Sequence, residues 1–236
     1  MILFVSDVHC HFELINMQVD HAEENHGEKV SQILVLGDIG AFEHELKVFF
    51  RNFPEGFKRP LAFIDGNHED FACLPDLAEK YKRHMTYLPR ATMHEFSDLK
   101  VLALGGAAYM DASVTPIGCE ITSDQIEACL HFQCADVVIS HDCPQNIGID
   151  NAPGFEHYGK PGFARGLEIA QKLKPAYWFF GHHHRWFDRQ IDSTRFIGLA
   201  EIWKGYAVFT DQGKVFITEH NLPKRMSWWQ RLWFGS

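Results

Sequence analysis

Side chains of the kind that bind divalent metals occur in five short clusters, and each cluster follows a short apolar run. The clusters are Asp7-Val8-His9, Gly37-Asp38, Gly66-Asn67-His68-Glu69, Ser140-His141-Asp142 and Gly181-His182-His183-His184. Apolar runs such as ILFVS and ILVLGD are typical of buried strands, and ligands at several strand ends can converge on one edge of a sheet. A pocket rich in imidazole and carboxylate groups is the chemistry of a metal-dependent hydrolase.

The spacing within the clusters favours shared metal ligands. Asp7 and His9 are two residues apart, as are His182 and His184, and side chains at i and i+2 on a strand point to the same face. Asp38 ends the second apolar run and could bridge two metals. Taken singly, a Gly-Asp pair is more often a turn and a histidine is more often a surface or core residue. Five clusters in this order favour a dinuclear site instead.

Apolar runs alternate with amphipathic segments in the first half of the chain. The predicted strands are Ile2–Ser6, Gln32–Leu36 and Leu61–Ile64, and the predicted helices are Phe12–Asn25, Glu43–Arg51 and Phe71–Arg83. This βαβαβα order predicts parallel strands joined by crossover helices. Strands that are apolar throughout are expected where both faces of a sheet are covered.

The second half mixes strand and helix signals. The predicted elements are a hairpin of Ala91–Phe96 and Lys100–Leu104, a helix capped by Ser123 and ending near His131, a strand Val137–Ser140, a loop over residues 142–162, a helix Gly162–Leu173 and a strand Ala176–Phe180. Four antiparallel strands are predicted at Phe187–Ile191, Arg195–Leu199, Tyr206–Thr210 and Val215–Glu219. Together the elements predict one α/β domain over residues 1–221, with two packed mixed sheets and flanking helices.

Composition limits the classes of function. The 236 residues are 46% hydrophobic, which suits one domain with a substantial core. A formal net charge of −9 argues against broad nonspecific binding of nucleic acid, although one nucleic-acid substrate held at the metals stays open. No signal peptide or membrane span is predicted. The six cysteines form no CxxC pair, so we expect reduced thiols and a cytoplasmic protein.

The order D-x-H, G-D, G-N-H-E, S-H-D and G-H-x-H resembles the calcineurin-like metallophosphoesterase superfamily, over most of the chain. The resemblance implies a four-layer αββα sandwich with a dinuclear metal site at the strand ends. It implies that Asp7, His9 and His184 bind the first metal, that Asn67, His141 and His182 bind the second, and that Asp38 bridges both. It also implies that His68 is no ligand and acts as a general acid at the leaving-group oxygen.

The implied activity is hydrolysis of phosphoesters through a hydroxide that bridges the two metals. Two divalent ions about 3.5–4 Å apart can clamp a phosphate and lower the pKa of a bridging water. Mn²⁺ is the expected metal, and Fe or Zn would also suit these ligands. A phosphodiesterase is favoured. The alternatives are a phosphomonoesterase and a noncatalytic scaffold with the same fold, and the intact ligand set argues against the scaffold.

A further resemblance concerns the substrate. Ser140-His141-Asp142-Cys143-Pro144 is similar to the S-H-D-W-P motif of RNA lariat debranching enzymes. That group usually carries Cys in place of Asp7 and often Ala in place of Gly181. The resemblance therefore favours a phosphoester substrate in general, with a nucleotide or RNA as one hypothesis. Arg90, Lys160, Arg165 and Arg185 are candidate phosphate partners, although surface charges are the simpler interpretation of each.

Residues 222–236 form a tail that combines basic and aromatic residues in the run KRMSWWQRLWF. The favoured interpretation is that the tail folds back onto the domain or into a dimer interface. An amphipathic anchor for a membrane surface and a platform for stacking nucleic-acid bases are alternatives. The sequence does not decide the oligomeric state.

Overall fold

The computed structural model describes residues 1–223, and its elements follow the predicted alternation closely. The strands are β1 (Ile2–Val5), β2 (Gln32–Leu36), β3 (Leu61–Ile64), β4 (Thr86–Tyr87), β5 (Thr92–Phe96), β6 (Leu99–Leu104), β7 (Val137–Ser140), β8 (Tyr177–Phe180), β9 (Phe187–Ile191), β10 (Thr194–Gly198), β11 (Gly205–Phe209) and β12 (Val215–Glu219). The α-helices are α1 (Phe12–His26), α2 (Glu43–Asn52), α3 (Leu74–Lys80), α4 (Ser123–Leu130) and α5 (Gly166–Leu173).

Two six-stranded sheets are formed, with the strand orders β12-β11-β1-β2-β3-β4 and β5-β6-β7-β8-β10-β9. Strands β1, β2 and β3 pair in parallel, as do β6, β7 and β8. Helices α1 and α2 cross over between the first three strands, as the βαβαβα order predicts. Because parallel strands end at the same edge of a sheet, the loops that follow them gather at one end of the molecule.

The four strands predicted to be antiparallel are so in part. Strands β9 and β10 form an antiparallel pair, and β11 pairs antiparallel with both β1 and β12. Strand β10, however, lies beside β8 and runs parallel to it, which the prediction did not include. The reason is burial: Phe196 and Ile197 of β10 are fully buried, whereas β9 carries the polar run Asp188-Arg189-Gln190 and takes the edge.

Alternation along the strands divides the core into three layers. In β1, Ile2 and Phe4 face the second sheet, while Leu3 and Val5 face the helices. The ring of Phe4 stacks on that of Phe179 with 4.0 Å between centroids, which joins the two sheets at their centre. The predicted α/β fold, a four-layer αββα sandwich with mixed sheets, is therefore confirmed.

Helix starts were the least accurate part of the prediction. Helix α4 is capped by the Thr122 side chain, which accepts a hydrogen bond from the Gln125 amide in a capping box, and not by Ser123. Helix α3 begins at Leu74, later than predicted, because residues 71–73 form a turn. Helix α5 begins at Gly166 because the chain first pairs Phe163 with the segment after β7.

The described residues cover the predicted domain of residues 1–221. The interpretations of the basic and aromatic tail concern residues that lie, from position 224 onward, outside the described part of the chain. Between residues 1 and 223, no helix combines the length and apolar character that crossing a membrane requires. All six cysteines fall within this part of the chain, and each is a free thiol.

Candidate metal centre

All seven predicted ligands lie in loops at the carboxyl edge of the two sheets. The loops after β1, β2 and β3 carry Asp7, His9, Asp38 and Asn67, and the loops after β7 and β8 carry His141, His182 and His184. The first sheet thus supplies the carboxylates and the amide, and the second sheet supplies three of the four imidazoles. The set therefore assembles only when the two sheets are packed against each other.

Asp7, His9 and His184 form one group, which we call the outer half of the site. His184 Nε2 lies 3.1 Å from Asp7 Oδ1 and 3.4 Å from His9 Nε2. Burial resists ionisation of Asp7, but the neighbouring imidazoles of His184 and His141 outweigh it and hold the pKa of this carboxyl well below its usual range. The outer half therefore presents a carboxylate and two imidazole nitrogens to one point.

Asn67, His141 and His182 form a second group, the inner half. Asn67 Oδ1 lies 3.0 Å from His141 Nε2 and 2.8 Å from His182 Nδ1. His141 Nδ1 donates to the Leu36 carbonyl at 2.8 Å, so Nε2 is the nitrogen that faces the site. Burial opposes the charge on His141, but the carboxylates of Asp38 and Asp7 outweigh it and raise the pKa of this ring. Burial lowers the pKa of His182 to about 4, so that ring is neutral and able to act as a ligand.

Asp38 lies between the two halves. Its Oδ1 is 3.5 Å from His141 Nε2 of the inner half, and its Oδ2 is 4.0 Å from His9 Nε2 of the outer half. The same Oδ1 accepts hydrogen bonds from the amides of Asn67 and His68, each at 2.8 Å. These amide bonds fix the carboxylate in the orientation that a bridging ligand requires.

The donor set fits two divalent cations. Asp7 Oδ1 is buried and has no aligned hydrogen-bond donor, although His184 Nε2 is close to it. In the inner half, the amide oxygen of Asn67 lies 3.0 Å from His141 Nε2 and 2.8 Å from His182 Nδ1. A cation would stabilise such a convergence of carboxylate, amide and imidazole groups, and nitrogen and carboxylate ligands suit Mn, Fe or Zn.

The backbone brings the ligands together by a different route from the one predicted. Strands β1 and β8 end at Val5 and Phe180, before the ligands begin. Asp7, His9, Asp38, His182 and His184 all adopt positive φ angles between 47° and 65°, in the left-handed region where Asp and His are tolerated better than most residues. The expectation that paired ligands share a strand face was therefore wrong, and left-handed turns after the strand ends direct the side chains.

Two of the motif glycines make room for ligands. A Cβ atom on Gly66 would lie 2.1 Å from Asp38 Oδ1. A Cβ atom on Gly181 would lie 1.8 Å from Ser6 Oγ and 2.6 Å from Asp7 Oδ2. At both positions a Cβ atom would clash with the neighbouring loop, so glycine is required where one of these loops packs on the next.

His68 stands apart from the two halves. Its side chain is exposed, and its ring lies edge-on to His9 with 5.6 Å between centroids. Glu69, the next residue, is buried and accepts hydrogen bonds from the amides of Ile39 and Ala41, each at 2.9 Å. Burial raises the pKa of Glu69 to about 8. Glu69 thus ties the Gly-Asn-His-Glu loop to the loop of Asp38, a role that the sequence analysis missed.

His183 does not join its neighbours in the site. Its Nε2 lies 3.0 Å from Asp142 Oδ1, so the ring is engaged by this carboxylate and not by the candidate ligands. Asp142, Cys143 and His183 are close enough to hold an ion. The Asp142 carboxylate, however, also accepts hydrogen bonds from the amides of Ala108 and Cys143. We therefore interpret the contact as a clamp between the loops that carry His141 and His182.

Glu201 is a second residue that the sequence analysis missed. It lies in the loop after β10, outside every motif, and its Oε1 is 3.7 Å from His184 Nδ1. Its Oε2 is 2.7 Å from Lys204 Nζ. No spacing rule connects this residue to the histidine cluster, because the two are brought together by the pairing of β8 with β10.

Three of the four candidate phosphate-binding residues are engaged elsewhere. Arg90 bonds to the buried Asp65, Arg165 to Glu127 and Glu168, and Lys160 to Asn146. Arg185, which follows His184 directly, donates to the carbonyls of His183 and Asp150, at 3.4 and 3.3 Å. Within residues 1–223, it is the one of these four side chains for which neither a carboxylate nor a side-chain amide partner is found.

Comparisons with known proteins agree with this geometry. The profile of the calcineurin-like phosphoesterase family matches residues 1–186 of the chain. A lariat debranching enzyme of Entamoeba histolytica is 22% identical over 242 residues, which cover 85% of this chain and 68% of that protein.

Two solved structures share the fold. A novel archaeal phosphodiesterase has a TM-score of 0.50 at 14% identity and aligns over 93% of this chain and 99% of its own. The phosphopantetheinyl hydrolase of Mycobacterium tuberculosis has a TM-score of 0.56 at 10% identity and aligns over 95% of this chain and 96% of its own. At such identities the likeness concerns the arrangement of helices and strands alone.

Proposed function

The chain belongs to the calcineurin-like phosphoesterase family, and from that premise we propose that it hydrolyses phosphodiesters at a dinuclear metal centre. Membership makes it a metal-dependent hydrolase of phosphoesters. The observation that carries the dinuclear part is the position of Asp38, which turns one oxygen toward each half of the site. A single metal ion would use only one of the two groups of candidate ligands.

The proposed division of labour follows from the geometry. The outer half would hold one ion, the inner half the other, and Asp38 would contact both; Mn²⁺ is the metal we propose. Two such ions, when bound, would stabilise the charge of the phosphate and lower the pKa of a water enough for it to lose a proton near neutral pH. His141 would turn Nε2 toward the inner ion because its Nδ1 is engaged by the Leu36 carbonyl, and His182 would offer a neutral nitrogen because burial lowers the pKa of its ring.

His68 is the proposed general acid. It is exposed beside His9, and its main-chain amide is fixed by Asp38. Within residues 1–223 no group hydrogen-bonds its imidazole, which leaves the ring free to donate a proton to the leaving-group oxygen. An imidazole is suited to this step because its ordinary pKa is close to neutrality.

The diester preference rests on the relatives. The Entamoeba protein is a lariat debranching enzyme, so a nucleotide or a branched RNA is a candidate substrate. Asp7 stands where debranching enzymes usually carry Cys, and the net charge of −9 disfavours a long polyanion. We therefore favour a short phosphodiester over a large RNA. Failure to cleave any 2′–5′ or 2′,3′-cyclic nucleotide bond would remove the nucleotide hypothesis.

Hydrolysis of bis-p-nitrophenyl phosphate and of p-nitrophenyl phosphate, by metal-stripped protein with and without Mn²⁺, tests the proposal. We expect Mn²⁺-dependent turnover with the diester cleaved faster. Faster cleavage of the monoester would favour a phosphomonoesterase. No turnover of either ester by protein that binds two Mn²⁺ ions would contradict activity on generic diesters and favour the scaffold alternative.

Replacing His68 by Ala tests the general acid. Acid catalysis contributes about 10²–10⁴-fold, so kcat should fall by that order for diphenyl phosphate, whose phenol is a poor leaving group. The fall should be smaller for bis-p-nitrophenyl phosphate, because p-nitrophenol needs less protonation. Mn²⁺ binding should not change. His131→Ala is the matched control, since His131 is exposed at the end of α4, where its ring bonds to the Glu127 carbonyl.

A further inference from the structure

The His184 ring lies between two carboxylates. Its Nε2 is 3.1 Å from Asp7 Oδ1, on the side of the outer half, and its Nδ1 is 3.7 Å from Glu201 Oε1 on the opposite side. In the described part of the chain, Glu201 Oε1 is the carboxylate oxygen that pairs with that second nitrogen. The nitrogen that faces Asp7 is thus the one available to a metal, and the other faces Glu201.

His184 needs such a partner more than the inner ligands do. Its side chain is 43% exposed, whereas that of His141 is fully buried and held by the Leu36 carbonyl. A metal-binding histidine normally donates its second N–H to a carbonyl or a carboxylate, which fixes the ring and strengthens its binding to the metal. Glu201 occupies the corresponding place for His184.

Glu201 is itself held firmly. It is only 9% exposed, and its Oε2 lies 2.7 Å from Lys204 Nζ. The 3-10 turn that begins at the next residue is anchored by a hydrogen bond from the Gln18 side chain to the Ile202 carbonyl. The 3.7 Å between His184 Nδ1 and Glu201 Oε1 is longer than a hydrogen bond, so this contact is an ion-pair contact.

We propose that Glu201 is a positioning residue for the outer metal and acts through His184, an inference that rests on the proposed dinuclear site. Glu201 accepts the Nδ1–H of His184 and directs Nε2 toward the ion. Its negative charge also adds to that of Asp7 and Asp38 around the outer half. The residue touches no substrate in this role, and its effect is confined to one of the two metals.

Titration of Mn²⁺ into metal-stripped protein, followed by calorimetry and by the electron paramagnetic resonance signal of free Mn²⁺, tests the proposal. The wild type should bind two ions. Glu201→Gln should also bind two, with one affinity reduced about 10–100-fold and the other unchanged. Glu219→Gln is the matched control, because Glu219 is exposed at the end of β12 and lies outside every motif in the sequence, and should titrate as the wild type does.

Each result has a separate meaning. Unchanged affinity at both sites in Glu201→Gln would overturn the inference, and so would equal weakening at both sites in protein with an unaltered metal-free melting temperature. A wild type that binds fewer than two ions would overturn the proposed dinuclear function instead.

A double-mutant cycle keeps the inference testable if Glu201→Gln destabilises the metal-free protein. If Glu201 acts through His184, adding Glu201→Gln to His184→Ala should cause no further loss of Mn²⁺ affinity. A further loss of the same size as in the wild-type background would show that Glu201 acts independently of His184 and would contradict the proposal.

Discussion

The two halves of the candidate metal centre are built from different materials. In the inner half, His141 is fully buried and directed by a main-chain carbonyl at the end of β2. In the outer half, His9 and His184 are partly exposed, and the side chain of Glu201 stands where the inner half uses the backbone. A carbonyl at a strand end cannot move without the sheet, whereas a side chain on a loop can.

The backbone conformation of the candidate ligands also differs between the two halves. Every member of the outer half has a positive φ, whereas only His182 does so in the inner half. Sparsely populated conformations cost about 1–3 kcal/mol each and persist where the surroundings enforce them. Here the hydrogen bonds from the amides of His9 and Cys10 to the carbonyls of Asp38 and Ile39 do so. We infer that the inner half is preformed and that the outer half depends more on its ion.

Asp38→Asn should have the largest effect, because Asp38 serves both halves. The amide keeps the shape of the side chain but removes the charge, so both ions should bind weakly. Charge stabilisation by metals is worth several kcal/mol, so kcat/KM for bis-p-nitrophenyl phosphate should fall by about 10³-fold or more.

Asp98→Asn is the matched control for this charge removal. Asp98 is exposed in the turn between β5 and β6 and has a positive φ of 65°, which Asn tolerates. Its hydrolysis rate should equal that of the wild type. Loss of only one Mn²⁺ ion in Asp38→Asn would mean that Asp38 belongs to one half and does not bridge the two.

The His141→Ala and His184→Ala pair should separate the halves. Each variant should bind one Mn²⁺ tightly instead of two. His141→Ala should also lower the free energy of unfolding of the metal-free protein by about 1–3 kcal/mol, because the Leu36 carbonyl loses its buried partner. His184→Ala should lower that free energy by less, because the side chain is half exposed and the buried Asp7 carboxylate that it leaves keeps the charge of His141 nearby. Urea unfolding in EDTA measures both values, and equal losses would contradict the preformed inner half.

The candidate ligands were predictable from the sequence, whereas the residues that support them differently in the two halves were not. The motif order was enough to predict the αββα fold and to place seven candidate ligands at strand ends. The acceptor of His141 is the carbonyl of Leu36, and a main-chain carbonyl leaves no mark on the residue type. Glu201 reaches His184 because β10 inserts beside β8, and that strand order follows from the relative burial of whole strands.

The left-handed turns could not be predicted from the periodicity of the strands either. Asp7 and His9 have the spacing of two residues on one strand face, yet the strand has already ended at Val5. The glycines offered a better signal. Gly181 is needed because the loop of Asp7 packs against it, so a glycine beside a ligand cluster marks the place where a second cluster approaches.

Glycine substitutions change the protein by a single methyl group and give the most local test of the two halves. Gly27, Gly37 and Gly181 differ in a useful way. Gly27 has φ +68° and open space around it, whereas Gly37 has φ +88° and would bring a Cβ within 2.3 Å of His141 Nδ1. Gly181 has no positive φ and only the clash with Ser6 and Asp7. Ala at these positions therefore separates backbone strain from crowding.

The free energy of unfolding in EDTA should fall by about 1–2 kcal/mol in Gly27→Ala, from the left-handed backbone alone. Gly181→Ala should cost about 1–3 kcal/mol from crowding, and Gly37→Ala should cost the most, since strain and crowding act together on a ring that the Leu36 carbonyl holds in place. Mn²⁺ titration should then show a weakened outer ion in Gly181→Ala and a weakened inner ion in Gly37→Ala. If Gly37→Ala costs no more than Gly27→Ala, the His141 ring moves aside freely, and the inner half is no more rigid than the outer one.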